Sequence, residues 1–172
     1  MNNKVDEFVK NLNKNSFLQD IKVPVLDGFN FVNNPNTVFT AVNDKFYMEQ
    51  FLTDGIIEEN FEEHLNKVLE DTKNTMKESK LEDVDNSINF LEDYKNDYFT
   101  FKVYTQDAIL DNKIIRQFNM FFMDKDTKAF FQVSLSAPPY DIKDKDFVNG
   151  ELTTNMTNTI HGLMDNIKKE TK

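Results

Sequence analysis

The spacing of apolar side chains changes period twice along this chain, and each change marks an element. Val5, Phe8, Val9 and Leu12 fall at i, i+3, i+4 and i+7, which predicts a short helix within residues 1–16. Residues 17–57 read as short strands. Ile21–Val25 carries Pro24 and suits an edge strand or entry loop, and Phe29–Val32 runs into a turn at Asn33–Asn36. Val38–Val42 and Lys45–Leu52 form a hairpin pair across Asn43–Asp44. The period then becomes 3.6. Phe61, Leu65, Val68, Leu69, Thr72 and Met76 make one face of a long helix over 58–78, and Glu62, Glu63, Lys67, Glu70, Lys73 and Lys77 make a solvated opposite face.

From there the period falls to two. Ile88–Asp93, Tyr98–Gln106, Ile114–Met123 and Ala129–Ser136 are four runs separated by Lys95-Asn96, by Leu110–Lys113 and by Asp124–Thr127. Connections that short between alternating strands predict an antiparallel meander over 86–136. Pro138-Pro139 ends the last strand, and Leu152, Met156, Ile160, Leu163, Met164 and Ile167 form the inward stripe of a closing helix over 148–168. The expected fold is α+β: a single antiparallel β-sheet, a meander, packed with helices on its faces, in one domain over residues 1–172.

Charge and composition narrow the partners. Thirty acidic against 20 basic residues give a formal charge of −10, which repels nucleic-acid phosphates and anionic lipid. Seventeen Phe with no Trp and only 4 Gly describe a packed aromatic core. There is no Cys, which removes thiol catalysis, disulfides and thiolate-bound metal. No apolar run approaches the roughly 20 residues of a membrane-spanning helix. The opening carries Asp6 and Glu7 where a signal peptide would be basic and then apolar, so a cytoplasmic location is expected. The cations are Lys except for Arg116, and Asn is abundant, a mixture that suits an AT-rich, bacterial genome.

Catalytic chemistry is hard to assemble from what is left. Gly28, Gly55, Gly150 and Gly162 are isolated, so no phosphate-cradling loop exists. Ser134 and Ser136 belong to a strand, VSLSA, and not to a nucleophile elbow. His64 and His161 have no partner at metal-ligand spacing. Asp124 and Asp126 could bind a hard cation or could hold a hairpin turn, and the run lacks the Gly and distal Glu of a twelve-residue calcium loop. The expectation is therefore no catalytic residue, no metal, no cofactor and no enzyme activity.

Three segments resemble a known family. The third strand of the meander reads IIRQFNMFFMD, the next KAFFQVSLSAPPYDIKD, and the closing helix opens with FVNGELTTNMTNTI. The order of elements over about 45–168, with the run Phe131–Pro138 before the last helix, resembles the PsbP-like superfamily. That group includes the Ran-binding nuclear import factor, DcrB-type proteins and chaperones for effectors of bacterial secretion. The resemblance implies a curved antiparallel sheet between helices, and binding without catalysis. The chain departs from the family's opening Gly-apolar-Pro-Trp strand, having Gly28-Phe29-Asn30-Phe31 and Asn34-Pro35-Asn36 instead.

Met120, Phe121, Phe122 and Met123 in one strand, with Tyr98 and Tyr104 nearby, exceed what a single buried face uses. Surplus apolar surface on a sheet marks a partner site, so these six are the expected partner-binding residues. Helices covering both faces would use up the same side chains. The expected function is a protein-binding module of the bacterial cytosol, either an adaptor or chaperone for a secreted effector or an immunity protein against a toxin. Its net charge suits a basic partner. The alternative is a small apolar-ligand or lipid-binding domain with a pocket between sheet and helix.

Overall fold

A pair of adjacent left-handed residues sets the axis of the sheet. Asp111 and Asn112 have φ of 51° and 62°, the geometry of a two-residue hairpin turn, and these are residue types that tolerate it. The turn joins strands β7 (Phe99–Leu110) and β8 (Lys113–Asp124), each 12 residues long and paired in register from Phe99↔Asp124 to Leu110↔Lys113. Both strands are longer than their apolar alternation predicts, because so tight a turn lets pairing run to its edge. The computed structural model describes residues 21–22, 30–32, 39–42, 47–52, 61–128 and 130–169. The predicted helix within 1–16 lies outside them.

Strand β9 (Phe130–Ser136) pairs with β8 on its far side. The β8–β9 turn is held by the Asp124 carboxylate, whose Oδ1 accepts from the Asp126 N–H at 2.8 Å and the Thr127 N–H at 3.3 Å. Of the two readings of this acidic loop, the turn-forming one is what the structure contains. Next to β9 come β4 (Tyr47–Leu52), β3 (Phe39–Val42) and β2 (Asn30–Val32), and β3 and β4 pair antiparallel as expected, the predicted turn at Asn43–Asp44 lying outside the described residues. At the opposite edge the predicted run Ile88–Asp93 forms a strand only over its first half, β5 (Ile88–Phe90). A further short strand, β6 (Tyr94–Lys95), begins just beyond it and takes in part of the expected Lys95-Asn96 separator; both pair with β7. After Pro138-Pro139, β10 (Tyr140–Asp141) returns to the same edge of β8 at Ile114. All pairings are antiparallel. A separate ribbon pairs β1 (Ile21–Lys22) with β11 (Lys168–Lys169), with Ile21 opposite Lys169.

Register sorts the side chains onto two faces. One carries Phe99, Phe101, Val103, Ile114, Phe118, Met120, Phe122, Phe131, Val133 and Leu135, packed edge to edge, with Phe99 and Phe122 at 5.5 Å and 88°. The closing helix covers this face. It starts as an α turn, α2 (Lys145–Phe147), passes through a π turn at Val148–Leu152, and continues as α3 (Thr153–Asn166), burying Met156, Ile160, Leu163 and Met164. The other face lies under α1 (Phe61–Glu78), which sets Phe61 and Leu65 against Tyr104 and Phe121. Glu62 and Glu63 in its first turn and Lys77 in its last suit the helix dipole. Its C-terminal end is fixed where Ser87 donates to the Val84 carbonyl at 2.6 Å and lies 3.9 Å from the Met76 sulfur.

This arrangement corrects the expected surface. Tyr104, Met120, Phe121 and Phe122 are at most 2% exposed: Met120 and Phe122 are core of the α3 face, and Tyr104 and Phe121 are core under α1. Met123 is half-buried beside them. Only Tyr98, at 39%, is exposed. The surplus of aromatic and Met side chains in β8 reflects a sheet buried on both sides, which consumes both phases of the alternation.

Arg116 ties the two layers of the α3 face together. Its Nε and Nη2 donate to the two carboxylate oxygens of Asp107 at 2.8 and 2.7 Å, and its Nη1 donates to Asn149 Oδ1 and Thr153 Oγ1, both at 2.8 Å, and to the Val148 carbonyl at 3.3 Å. The π turn already pairs that carbonyl with the Thr153 backbone N–H, and Thr153 Oγ1 donates to it as well, at 2.5 Å. Both charged side chains are largely shielded, at 11% and 14% exposure, so neither tolerates loss of the other. Arg116→Ala is expected to cost about 3 kcal/mol in urea unfolding. Arg116→Lys should recover only part of this, since an ammonium cannot make the bidentate contact.

Candidate functional site

Polar side chains are placed where the α1 face crosses the middle of the sheet. Gln117 and Asn119 on β8 stand opposite Ser136 and Ser134 on β9, and opposite Gln106 and Tyr104 on β7. They satisfy one another. Asn119 Oδ1 accepts from Gln117 Nε2 at 2.8 Å, Ser134 Oγ at 2.8 Å and Gln132 Nε2 at 3.3 Å, while Asn119 Nδ2 donates to Gln106 Oε1 at 3.1 Å. Ser136 Oγ donates to Gln117 Oε1 at 2.9 Å and closes the ladder at one end. Asn119 and Ser134 are buried, at 1% and 5%. Buried polar groups are tolerated when every member of the network finds a partner.

The ladder is flanked by two ionisable groups. Tyr104 stacks on Phe121 at 6.0 Å and 13° and meets Phe90 at 5.4 Å; among the described residues its hydroxyl has no hydrogen-bond partner. Burial pushes its phenol up to about 12. Lys102, one step further along β7, reaches Glu62 at 3.0 Å and Asp93 at 3.3 Å. The hydrogen bond to Glu62, opposed by partial burial and aided by Asp93, holds its ammonium above the usual lysine range. This cluster seals the trough between α1 and the sheet near the start of the helix.

Toward the other end of α1 the trough is open. A cleft of about 420 Å³ lies between the helix and β7, lined by Val68, Asp71, Thr72, Thr75, Met76 and Gln106. Thr75 Oγ1 donates to the Asp71 carbonyl at 2.9 Å. Among the described residues the Asp71 carboxylate makes no ion pair, and the Gln106 carboxamide acts only as acceptor, so its N–H groups are unclaimed. Beyond Gln106 the same face carries Ala108 opposite Ile115 and Leu110 opposite Lys113, and Leu110 and Ile115 are exposed at 43% and 36%. An apolar strip thus continues the cleft out to the hairpin turn.

The cleft and ladder are not among the residues singled out by sequence. Their signal is nonetheless present: Gln117 and Asn119 alternate with Phe118 and Met120, and Gln132, Ser134 and Ser136 with Val133 and Leu135, which puts all five on one face. Of the expected partner-binding residues, the structure brings Tyr104, Phe121 and Met123 together beneath α1, puts Met120 and Phe122 on the opposite face, and leaves Tyr98 apart at the edge by β6. His64 is half-buried on α1 and His161 exposed on α3. Among the described residues no group of three or more His, Asp or Glu could hold a metal ion, and no helix is long and apolar enough to cross a membrane.

No protein-family model matches this sequence, and no curated protein does. Among solved structures the chain is similar to LpqN of Mycobacterium tuberculosis, a protein involved in cell envelope biogenesis. The TM-score is 0.45 and the identity 11%, covering 88% of this chain and 83% of that one.

Two measurements check the energetics of this face. Asn119→Leu leaves three donors without their shared acceptor and is expected to cost about 2–3 kcal/mol in chemical denaturation. For Tyr104 the folded value lies above the unfolded one, so the fold loses nothing below pH 10 and loses stability as the pH rises from 10 through 12, to roughly 3 kcal/mol in total. Tyr104→Phe removes a hydroxyl with no partner. Its neutral-pH stability should stay within about 0.5 kcal/mol of the parent, and its alkaline unfolding midpoint should move upward. Phenolate absorbance of the parent should show one tyrosine ionising last, together with unfolding.

Proposed function

We propose that this chain is a non-catalytic protein-binding module, and that its partner docks on the α1 face, in the open cleft and along the apolar strip that continues it. The observation that carries this reading is that continuity. The hydrogen-bonding groups of Gln106 and Asp71 stand unclaimed at one end of a surface whose other end exposes Leu110 and Ile115. A polar anchoring point beside an apolar stripe is how protein interfaces combine specificity with burial. The resemblance to PsbP-like binding proteins points the same way. The net charge of −10 favours a basic partner through electrostatic encounter. Within that class we favour an adaptor or chaperone for a secreted effector, or an immunity protein against a toxin, acting in the bacterial cytosol.

The test is affinity capture from lysate of the source cells with the full chain immobilised, run in parallel with the double variant Leu110→Lys/Ile115→Lys. Both positions are exposed, so circular dichroism should be unchanged. A single stoichiometric protein is expected on the parent and at least tenfold less on the variant, a loss of about 1.4 kcal/mol or more. Equal recovery on both would move the interface elsewhere, and recovery of small molecules alone would replace the reading with a ligand-binding one.

A further inference from the structure

The cleft between α1 and β7 has the chemistry of a receptor for one long cationic side chain, and we infer that it takes a lysine or arginine from a basic segment of the partner protein. This rests on the protein-binding reading above and specifies its chemistry. Val68 and Met76 give the cleft an apolar wall, which suits the methylene stem of such a side chain. Asp71 gives it a carboxylate. The cations of α1 do not neutralise that carboxylate: Lys77 is paired with Asp85 at 3.3 Å, and among the described residues Lys67 and Lys73 form no ion pair with it. Among the described residues no ion pair reaches Asp71. The N–H groups of Gln106 and the hydroxyl of Thr72, which has no hydrogen bond among the described residues, are placed to meet backbone carbonyls flanking the inserted residue. An anionic occupant would meet Asp71 and a chain of charge −10, and a wholly apolar one would strand both the carboxylate and the carboxamide.

The experiment is heteronuclear NMR of the isotope-labelled full chain, titrated with acetyl-Ala-Lys-Ala-amide, its arginine counterpart and its norleucine counterpart. The lysine or arginine peptide is expected to shift the Gln106 side-chain amide and the backbone amides of Asp71 and Thr72. Norleucine, of matching stem and no charge, should bind at least fivefold more weakly. Asp71→Asn, an exposed change that leaves the fold intact, should weaken the cationic peptide by roughly fivefold, and added salt should do the same to the parent. Norleucine binding as well as lysine, undiminished binding to Asp71→Asn, or no shifts in the cleft would each overturn the inference. The captured partner separates the two levels. A partner lost from Leu110→Lys/Ile115→Lys but fully bound by Asp71→Asn keeps the protein-binding reading and removes the cationic occupant. A partner indifferent to all of these changes removes both.

Discussion

Where a helix covers each side of a sheet, a polar side chain beneath it must find its hydrogen bonds inside the protein. That requirement shapes the two halves of this molecule differently. The α3 face meets it by being mostly apolar, with Phe99, Phe101, Phe118, Phe122 and Phe131 filling it, and by placing charge at its two ends, the Arg116–Asp107 pair at one and the turn-holding Asp124 carboxylate at the other. The α1 face meets it with the ladder around Asn119, where one amide oxygen collects three donors. Removing water from a polar group costs more than its new bond returns unless all members are satisfied. The ladder therefore works as a unit, and it fixes the register of β7, β8 and β9 as firmly as the apolar alternation does on the reverse side.

Only at the edge of that unit does the requirement lapse. Gln106 contributes its carbonyl to the ladder and turns its N–H groups to the cleft, where α1 no longer closes on the sheet. The two regimes meet within one side chain. A partner entering the cleft would extend a network that is already organised, which lowers the ordering cost of binding.

Much of this was legible in the sequence. The 3.6 period from Phe61 to Met76, the separator Leu110–Lys113 and the stop at Pro138-Pro139 carry strong local signals, and the α+β plan follows from their order; that the separator tightens to a two-residue turn at Asp111-Asn112 is seen only in the structure. The break between β5 and β6 was not legible, because the run Ile88–Asp93 reads as continuous past Phe90 and Lys95 reads as part of a separator, whereas the actual pairing depends on how β7 offers its hydrogen bonds. Nor was the burial of Tyr104, Met120, Phe121 and Phe122. A strand with apolar residues in both phases has the same sequence whether its second face awaits a partner or lies under its own helix, and only the three-dimensional course of α1 decides. The cleft is harder still, since Asp71, Thr72 and Gln106 are ordinary surface residues in one dimension and acquire meaning only when helix and strand are juxtaposed.

The small ribbon of β1 and β11 has a mechanical consequence. Ile21 faces Lys169 and Lys22 faces Lys168, so the two backbone segments run antiparallel side by side. Tension applied through the chain at Ile21 and Lys169 would load this ribbon as a zipper, breaking its rungs in turn. The long β7–β8 pair, reached from neither direction at first, would carry no load until the ribbon had opened. The fold thus has a weak seam in series with a strong one.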